Sequence, residues 1–182
     1  MIIVEGPDNS GKSTLIKSLI KDFNLLLAEK PHGPPQNVND LIYRSSKLLL
    51  KQDQKRYIVD RHPLISEKVY GPALRNKDLW EEKKLTYCSF MDILNDSSLA
   101  GSVFIIYCRP PNEVVLNLST HEVKGYDTAE HLEALKSNLQ KVVEGYDNIM
   151  SLWADFKYNY KDSNSYELLT KKLKEEYFHE RE

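Results

Sequence analysis

The chain has 182 residues, 41% of them apolar, enough for one domain with a substantial buried core and too few for two domains of ordinary size. Its 25 basic and 27 acidic residues leave a formal net charge of -2, so no global field draws it to a nucleic-acid backbone. Two cysteines, Cys88 and Cys108, make neither a disulfide framework nor a metal-ligand spacing. No run approaches the roughly 18 apolar residues that span a bilayer, and the first residues carry none of the features of a signal peptide. A soluble cytoplasmic protein, with no membrane and no nucleic acid among its partners, is the expectation.

Short apolar runs alternate with segments of helical period, the pattern of an α/β fold with a parallel sheet. The first run, MIIVE (1–5), leads directly into GPDNSGKST (6–14). After it, Leu15, Leu19 and Phe23, with Ile16 and Ile20, recur at helical spacing. NLLLAE (24–29) reads as a second strand, and PHGPPQN (31–37) as a loop too short to separate domains. RYIVD (56–60) is the third strand. The 78–99 segment, with Leu79, Tyr87, Phe90 and Leu94, is amphipathic; it either covers the sheet or joins two copies of the chain in a homodimer. SVFIIYC (102–108) is apolar throughout, as befits a strand covered on both faces. A long helix over about 128–152 aligns Leu132, Leu135, Leu139, Val142, Val143, Tyr146 and Ile149, with Asp127 and Glu130 as an N-cap arrangement. FKYNYK (156–161) is the fifth strand, and a last helix from Tyr166 to Tyr177 carries Leu169 and Leu173 on one face. Its lysines (TKKLKEE, 170–176) read as a solvated face. Five strands with covering helices make one doubly wound domain over 1–182, whose ligands bind outside the carboxyl ends of the strands.

GPDNSGKST has the spacing of a phosphate-binding loop, and strand, loop and helix occur in the required order. Gly6 and Gly11 permit the tight turn that points successive N–H groups, including those of Asn9, Ser10 and Thr14, at phosphate oxygens. Lys12 brings a charge to the β- and γ-phosphates, the Ser13 hydroxyl suits Mg²⁺, and the helix start favours the same anion. The alternative of a chance glycine-rich turn does not explain that order. Asp8 would be repelled by polyphosphate, so it either faces a hydroxyl of a second substrate or is a solvated loop aspartate. In YIVDRHP (57–63), Asp60 ends a buried strand on the edge where the phosphate loop lies. A carboxylate there suits a water in the Mg²⁺ shell or an incoming nucleophile. Arg61 adds a planar, permanently charged fork for phosphate. His62, followed by proline, reads as a residue that positions the loop rather than an acid or base.

GPDNSGKST followed by VDRHPLISEKVYG resembles the thymidylate kinase family of nucleoside-monophosphate kinases, especially its short phage-encoded members. The resemblance runs over nearly the whole chain: AEKPHGPP is similar to the family's segment after the second strand, and YKDSNSYELLTKKL to its last strand, adenine-contacting loop and closing helix. It implies a three-layer P-loop kinase fold with a five-stranded parallel sheet, ATP as phosphoryl donor and Mg²⁺ as cofactor. It implies that Asp8 binds the acceptor's 3′-hydroxyl, that Asp60 and Arg61 position metal-bound water and grip the acceptor phosphate, and that Asp162 lies in the adenine loop. LIYRSSK (41–47) and VYGPALR (69–75) are more loosely similar to base-site segments and point to Tyr43, Arg44, Tyr70 and Arg75. The chain departs from the family at one point. Relatives stabilise the transferring phosphoryl with an arginine in the loop or in a mobile lid, whereas here the loop position is Asn9. The lid, at about 118–127, contains Lys124 and no arginine. Candidate replacements are Lys124, then Arg109 or Arg44.

The residues leave three readings. A deoxynucleoside-monophosphate kinase, dTMP first and other bases open, needs no proton acceptor because its acceptor is already anionic; such a member of a phage would work in the host cytoplasm. A deoxynucleoside kinase needs a carboxylate base, for which Glu5 and Asp60 are available. A nucleotide switch or motor is disfavoured: RNKDLW (75–80) has the wrong spacing to read guanine, and the fourth strand ends without an acid.

Overall fold

The computed structural model describes residues 1–29, 33–49, 56–82, 103–117 and 129–178. Among them five strands form one all-parallel sheet: β1 (Ile2–Glu5), β2 (Leu26–Leu27), β3 (Tyr57–Asp60), β4 (Phe104–Cys108) and β5 (Phe156–Tyr158), in the order β2-β3-β1-β4-β5. The helices are α1 (Lys12–Phe23), α2 (Val38–Leu49), α3 (Pro63–Arg75), α4 (Leu79–Glu82), α5 (Asn112–Val115), α6 (Ala129–Trp153) and α7 (Ser165–Lys172). A π-helical turn, Leu173–Phe178, continues α7.

Alternation along the strands explains the two layers of helices. In β1, Ile3 packs with α2, α3 and α6 through Leu41, Ile65, Val69, Leu135, Leu139 and Tyr146. Its neighbours Ile2 and Val4 pack on the opposite face with Leu15 and Leu19 of α1 and with Leu169 and Leu173. Every residue of β1 and β4 is buried, which is why both runs are continuously apolar up to the functional end. A fully buried leucine such as Leu19 contributes about 2 kcal/mol by the area it removes from water.

Two elements differ from the sequence reading. NLLLAE pairs with β3 as a strand only over Leu26–Leu27, whose side chains are exposed, because β2 is the edge of the sheet; Leu25 and Ala28 are the buried residues there. The fifth strand stops at Tyr158, and residues 159–164 form turns in which Asn159, Asp162 and Ser165 exchange local hydrogen bonds. The expected lid with Lys124, the N-cap residue Asp127, and Tyr87, Phe90 and Leu94 lie outside the described residues. Among those described, no helix is long and apolar enough to cross a membrane.

Candidate active site

Register brings the functional residues to one edge. Val4 lies opposite Asp60, and Glu5 opposite Tyr107, so the exits of β1, β3 and β4 are adjacent. The loop after β1 crosses the end of β4 so closely that a Cβ on Gly6 (φ 144°) would sit 2.5 Å from the carbonyl oxygen of Cys108. Gly11, at φ 83°, is equally constrained: its Cβ would lie 2.7 Å from the ring of Tyr160. Asn9 between them also has a left-handed backbone, φ 62°, which asparagine tolerates better than most residues. Ser13 and Thr14 are exposed at the start of α1, whereas Ser10 and Lys12 are buried.

Lys12 folds back over the loop, its ammonium donating to the Pro7 carbonyl (2.5 Å) and the Ser10 hydroxyl (3.2 Å). Burial, and after it the charge of Arg61, lower its pKa to about 8, against the opposing pull of Asp8 and Asp60. It is a cation held among weak acceptors, and a phosphate oxygen is a stronger one.

Asp8, Arg61 and Tyr70 form a second cluster. Arg61 Nη2 donates to Asp8 Oδ1 at 2.8 Å, and the Tyr70 hydroxyl donates to Asp8 Oδ2 at 2.7 Å. The guanidinium also lies over the Tyr70 ring, 5.0 Å from its centroid. Arg61 itself has φ 65°, turning the chain out of β3 while its N–H still reaches the Val4 carbonyl (3.0 Å). Nε makes a long contact to the Gly6 carbonyl at 3.4 Å, and Nη1 has no partner among the described residues. Burial alone would raise the Asp8 carboxyl, but Arg61 and Lys12 outweigh it and hold it well below the usual carboxylate range.

Beneath this cluster Glu5 is fully buried. Its Oε1 accepts the His62 main-chain N–H (2.5 Å) and its Oε2 the Tyr146 hydroxyl (3.1 Å). Burial raises its pKa to about 7, although both hydrogen bonds and the nearby Arg61 and Lys12 favour the carboxylate. Tyr146, from α6, packs edge-on to Tyr70 and stacks on Tyr107. His62 precedes α3 as its N-cap residue with a fully buried side chain, and burial lowers its pKa to about 4. That burial agrees with a positioning residue rather than an acid or base.

The structure therefore assembles Gly6, Asp8, Asn9, Ser10, Gly11, Lys12, Ser13, Thr14, Asp60, Arg61 and Tyr70 around one sheet edge. Other candidates have different partners. Arg44 donates to Asp40 (2.8 Å) and to the Gly33 carbonyl (2.9 Å). Arg75 is paired with Glu67 (2.5 Å) at the far end of α3, and Tyr43 is 66% exposed on α2. The Asp162 carboxylate accepts the Asn164 N–H at 3.0 Å, ahead of α7. Arg109 is gripped in a bidentate pair with Asp147 (2.9 and 2.8 Å), which also accepts the Tyr107 hydroxyl. The part played by Tyr146 and Asp147 was missed in the sequence, because a tyrosine on an apolar helical stripe reads as core and its neighbour as surface.

Among the described residues there is no group of three or more His, Cys, Asp or Glu to cage a metal. Mg²⁺ asks for less: one or two hard protein oxygens beside waters and phosphates. An exposed Ser13 hydroxyl and the half-buried Asp60 carboxylate on the same edge suit that requirement.

No protein-family model matches the chain, and no curated protein sequence matches it. Solved structures do match, and they define the class of fold: a P-loop nucleotide-kinase fold with a five-stranded parallel sheet flanked by helices. One is the YorR protein from Bacillus subtilis in complex with phosphorylated GDP, at TM-score 0.63 and 19% identity, covering 100% of this chain and 99% of that one. Another is deoxyadenosine kinase from M. mycoides with dCMP and dCDP, at TM-score 0.58 and 21% identity over 96% of this chain and 98% of that one. The same enzyme with dATP aligns at TM-score 0.55 and 22% identity, over 94% and 98%. At these identities the likeness is one of fold.

Proposed function

We propose that the protein is a kinase that transfers the γ-phosphoryl of ATP to a deoxynucleoside monophosphate, dTMP foremost, with Mg²⁺ as cofactor. The observation that carries the reading is Arg61, a guanidinium fixed at the mouth of the phosphate loop by Asp8 and Tyr70. A preset cation beside the loop serves an acceptor that carries a phosphate. Asp8, held ionised and turned towards Arg61 rather than into the loop, is then placed for the acceptor sugar. The preference for thymine rests on the likeness of GPDNSGKST and VDRHPLISEKVYG to thymidylate kinases.

Lys12 would exchange the Pro7 carbonyl for phosphate oxygens, and Ser13 and Asp60 would hold Mg²⁺, which supplies charge neutralisation when bound. With Arg109 committed to Asp147 and Arg44 to Asp40, Lys124 is the proposed further cation. The domain is proposed to span 1–182 with its lid at 118–127.

A deoxynucleoside kinase is the second reading, and Asp60 is the observation in its favour: a carboxylate at the exit of β3, near the ammonium of Lys12. Glu5 serves that reading poorly, since both its oxygens are occupied and the residue is sealed from solvent. ADP release with ATP, Mg²⁺ and a panel of four deoxynucleoside monophosphates and four deoxynucleosides tests the choice. Turnover confined to nucleosides would sink the monophosphate reading.

A further inference from the structure

We propose that the Asn9 side chain is a positioning group: it bolts the phosphate loop to the turn after β4, and so sets donor affinity without the side chain itself contacting the donor. The inference rests on the reading of residues 6–14 as the donor-phosphate loop. Asn9 Nδ2 donates to the carbonyl oxygens of Val114 and Asn117, each at 2.7 Å. Both amide protons are thereby used. Because both partners are main-chain acceptors, only the NH₂ end of the amide fits, and aspartate in its place would set an anion against two carbonyls.

The far end of the bolt is firmly fixed. Val114 and Val115 donate to the Pro111 carbonyl, Leu116 to that of Asn112, and Val115 is fully buried. Arg109, anchored on Asp147 of α6, holds α5 from its other side by donating to the Asn112 side chain (2.6 Å) and the Pro110 carbonyl (2.7 Å). The bolt thus carries the rigidity of β4, α5 and α6 into the middle of the loop.

The loop needs such a tether for a specific reason. Asp8 ties the start of the loop to Arg61 and Tyr70, and within the loop Lys12 holds the Pro7 carbonyl. A triphosphate would draw that ammonium away, releasing Pro7 as it binds. The Asn9 bridge faces α5 and does not compete with the ligand, so the loop keeps its shape when Lys12 changes partner. Its backbone at φ 62° adds the second reason for asparagine, since most side chains are strained there.

These two roles separate by substitution. Asn9→Gly keeps the left-handed backbone without strain and removes only the bridge, Asn9→Ala removes the bridge and adds strain, and Asn9→Asp keeps the size and repels the carbonyls. For Asn9→Gly, calorimetric titration of the full chain with MgATP should show about tenfold weaker binding, the loss of two modest hydrogen bonds to loop order. The acceptor KM should change less than about twofold. Hydrogen exchange at residues 112–117 should quicken without any nucleotide present. Asn9→Ala and Asn9→Asp should bind at least as weakly as Asn9→Gly. Wild-type MgATP affinity and unchanged exchange in Asn9→Gly would overturn the inference and leave the kinase reading standing. Equal losses of MgATP and acceptor affinity, with a lower Tm, would also overturn it, as general destabilisation. A wild-type chain that binds no MgATP would remove the phosphate-loop reading itself.

Discussion

Asp8 and Arg61 stand 53 positions apart in the chain, yet their side chains meet at 2.8 Å, with Tyr70 closing the other carboxylate oxygen. The pair joins the phosphate loop to the exit of β3, and neither partner is more than 20% exposed. Halving a charge pair so enclosed is costly, since removing one partner strands the other.

Asp8→Ala should therefore leave the Arg61 fork misplaced for an acceptor phosphate. Steady-state kinetics should show the acceptor KM raised by about tenfold or more, with the ATP KM within about twofold. An unchanged acceptor KM would remove Asp8 from the acceptor site.

Lys12→Ala should abolish measurable turnover, because phosphoryl transfer depends on charge neutralisation at the phosphates. The wild-type residue adds a pH test. Its pKa of about 8 should rise when a phosphate replaces the Pro7 carbonyl, so binding takes up a proton above pH 8. MgATP affinity should accordingly weaken as pH rises above 8, measured by titration calorimetry in buffers of different ionisation enthalpy.

Glu5 and His62 make opposed contributions to stability. Glu5, raised from 4.5 to about 7, is protonated in the fold and ionised in the unfolded chain between those values, so stability falls as pH rises through that window. His62, lowered from 6.5 to about 4, is neutral in the fold and charged when unfolded, so stability rises with pH from 4 to 6.5. Over pH 4.5–6.5 the two slopes nearly cancel. Glu5→Gln, which keeps an acceptor for the His62 N–H and a donor for Tyr146, should uncover the histidine slope. Denaturant unfolding of that variant should then gain at most about 3 kcal/mol from pH 4 to 6.5, while the wild type stays nearly flat. A flat Glu5→Gln profile would contradict the buried, neutral state of His62, and a wild-type profile that rises as steeply as the variant's would contradict the raised pKa of Glu5.

Arg109→Lys tests whether Arg109 supports the fold or the phosphoryl group. Lysine keeps the charge and loses the bidentate fork to Asp147. A structural Arg109 predicts a lower Tm for Arg109→Lys and for Asp147→Ala, and kcat within about threefold of wild type in both. A loss of several orders in kcat for Arg109→Lys alone would make it the missing phosphoryl cation.

The parallel sheet and the loop were legible in the sequence because their signals are local. Apolar runs mark β1 and β4, and the order strand, GPDNSGKST, helix places the candidate phosphate loop by itself. Asp60 and Arg61 were legible for the same reason, as the polar end of an apolar run. The Glu5–Tyr146 contact was not, since it joins positions 141 apart through a side chain that periodicity files as core. Asn9 shows the limit most clearly: as a loop residue it reads as a missing arginine, and only its contacts with Val114 and Asn117 reveal a tether. Arg44 and Arg75 were nominated by position and hold Asp40 and Glu67, because a helix segment's register does not say which face looks at the site.

The central claim is that Arg61 and Asp8 serve an acceptor already bearing a phosphate. The most direct measurement is kcat/KM for dTMP against thymidine, with ATP and Mg²⁺ saturating and the product identified by chromatography. The expected product is dTDP, with a preference for dTMP of at least about a hundredfold, diminished in Asp8→Ala. Formation of dTMP from thymidine, with no turnover of dTMP, would contradict it.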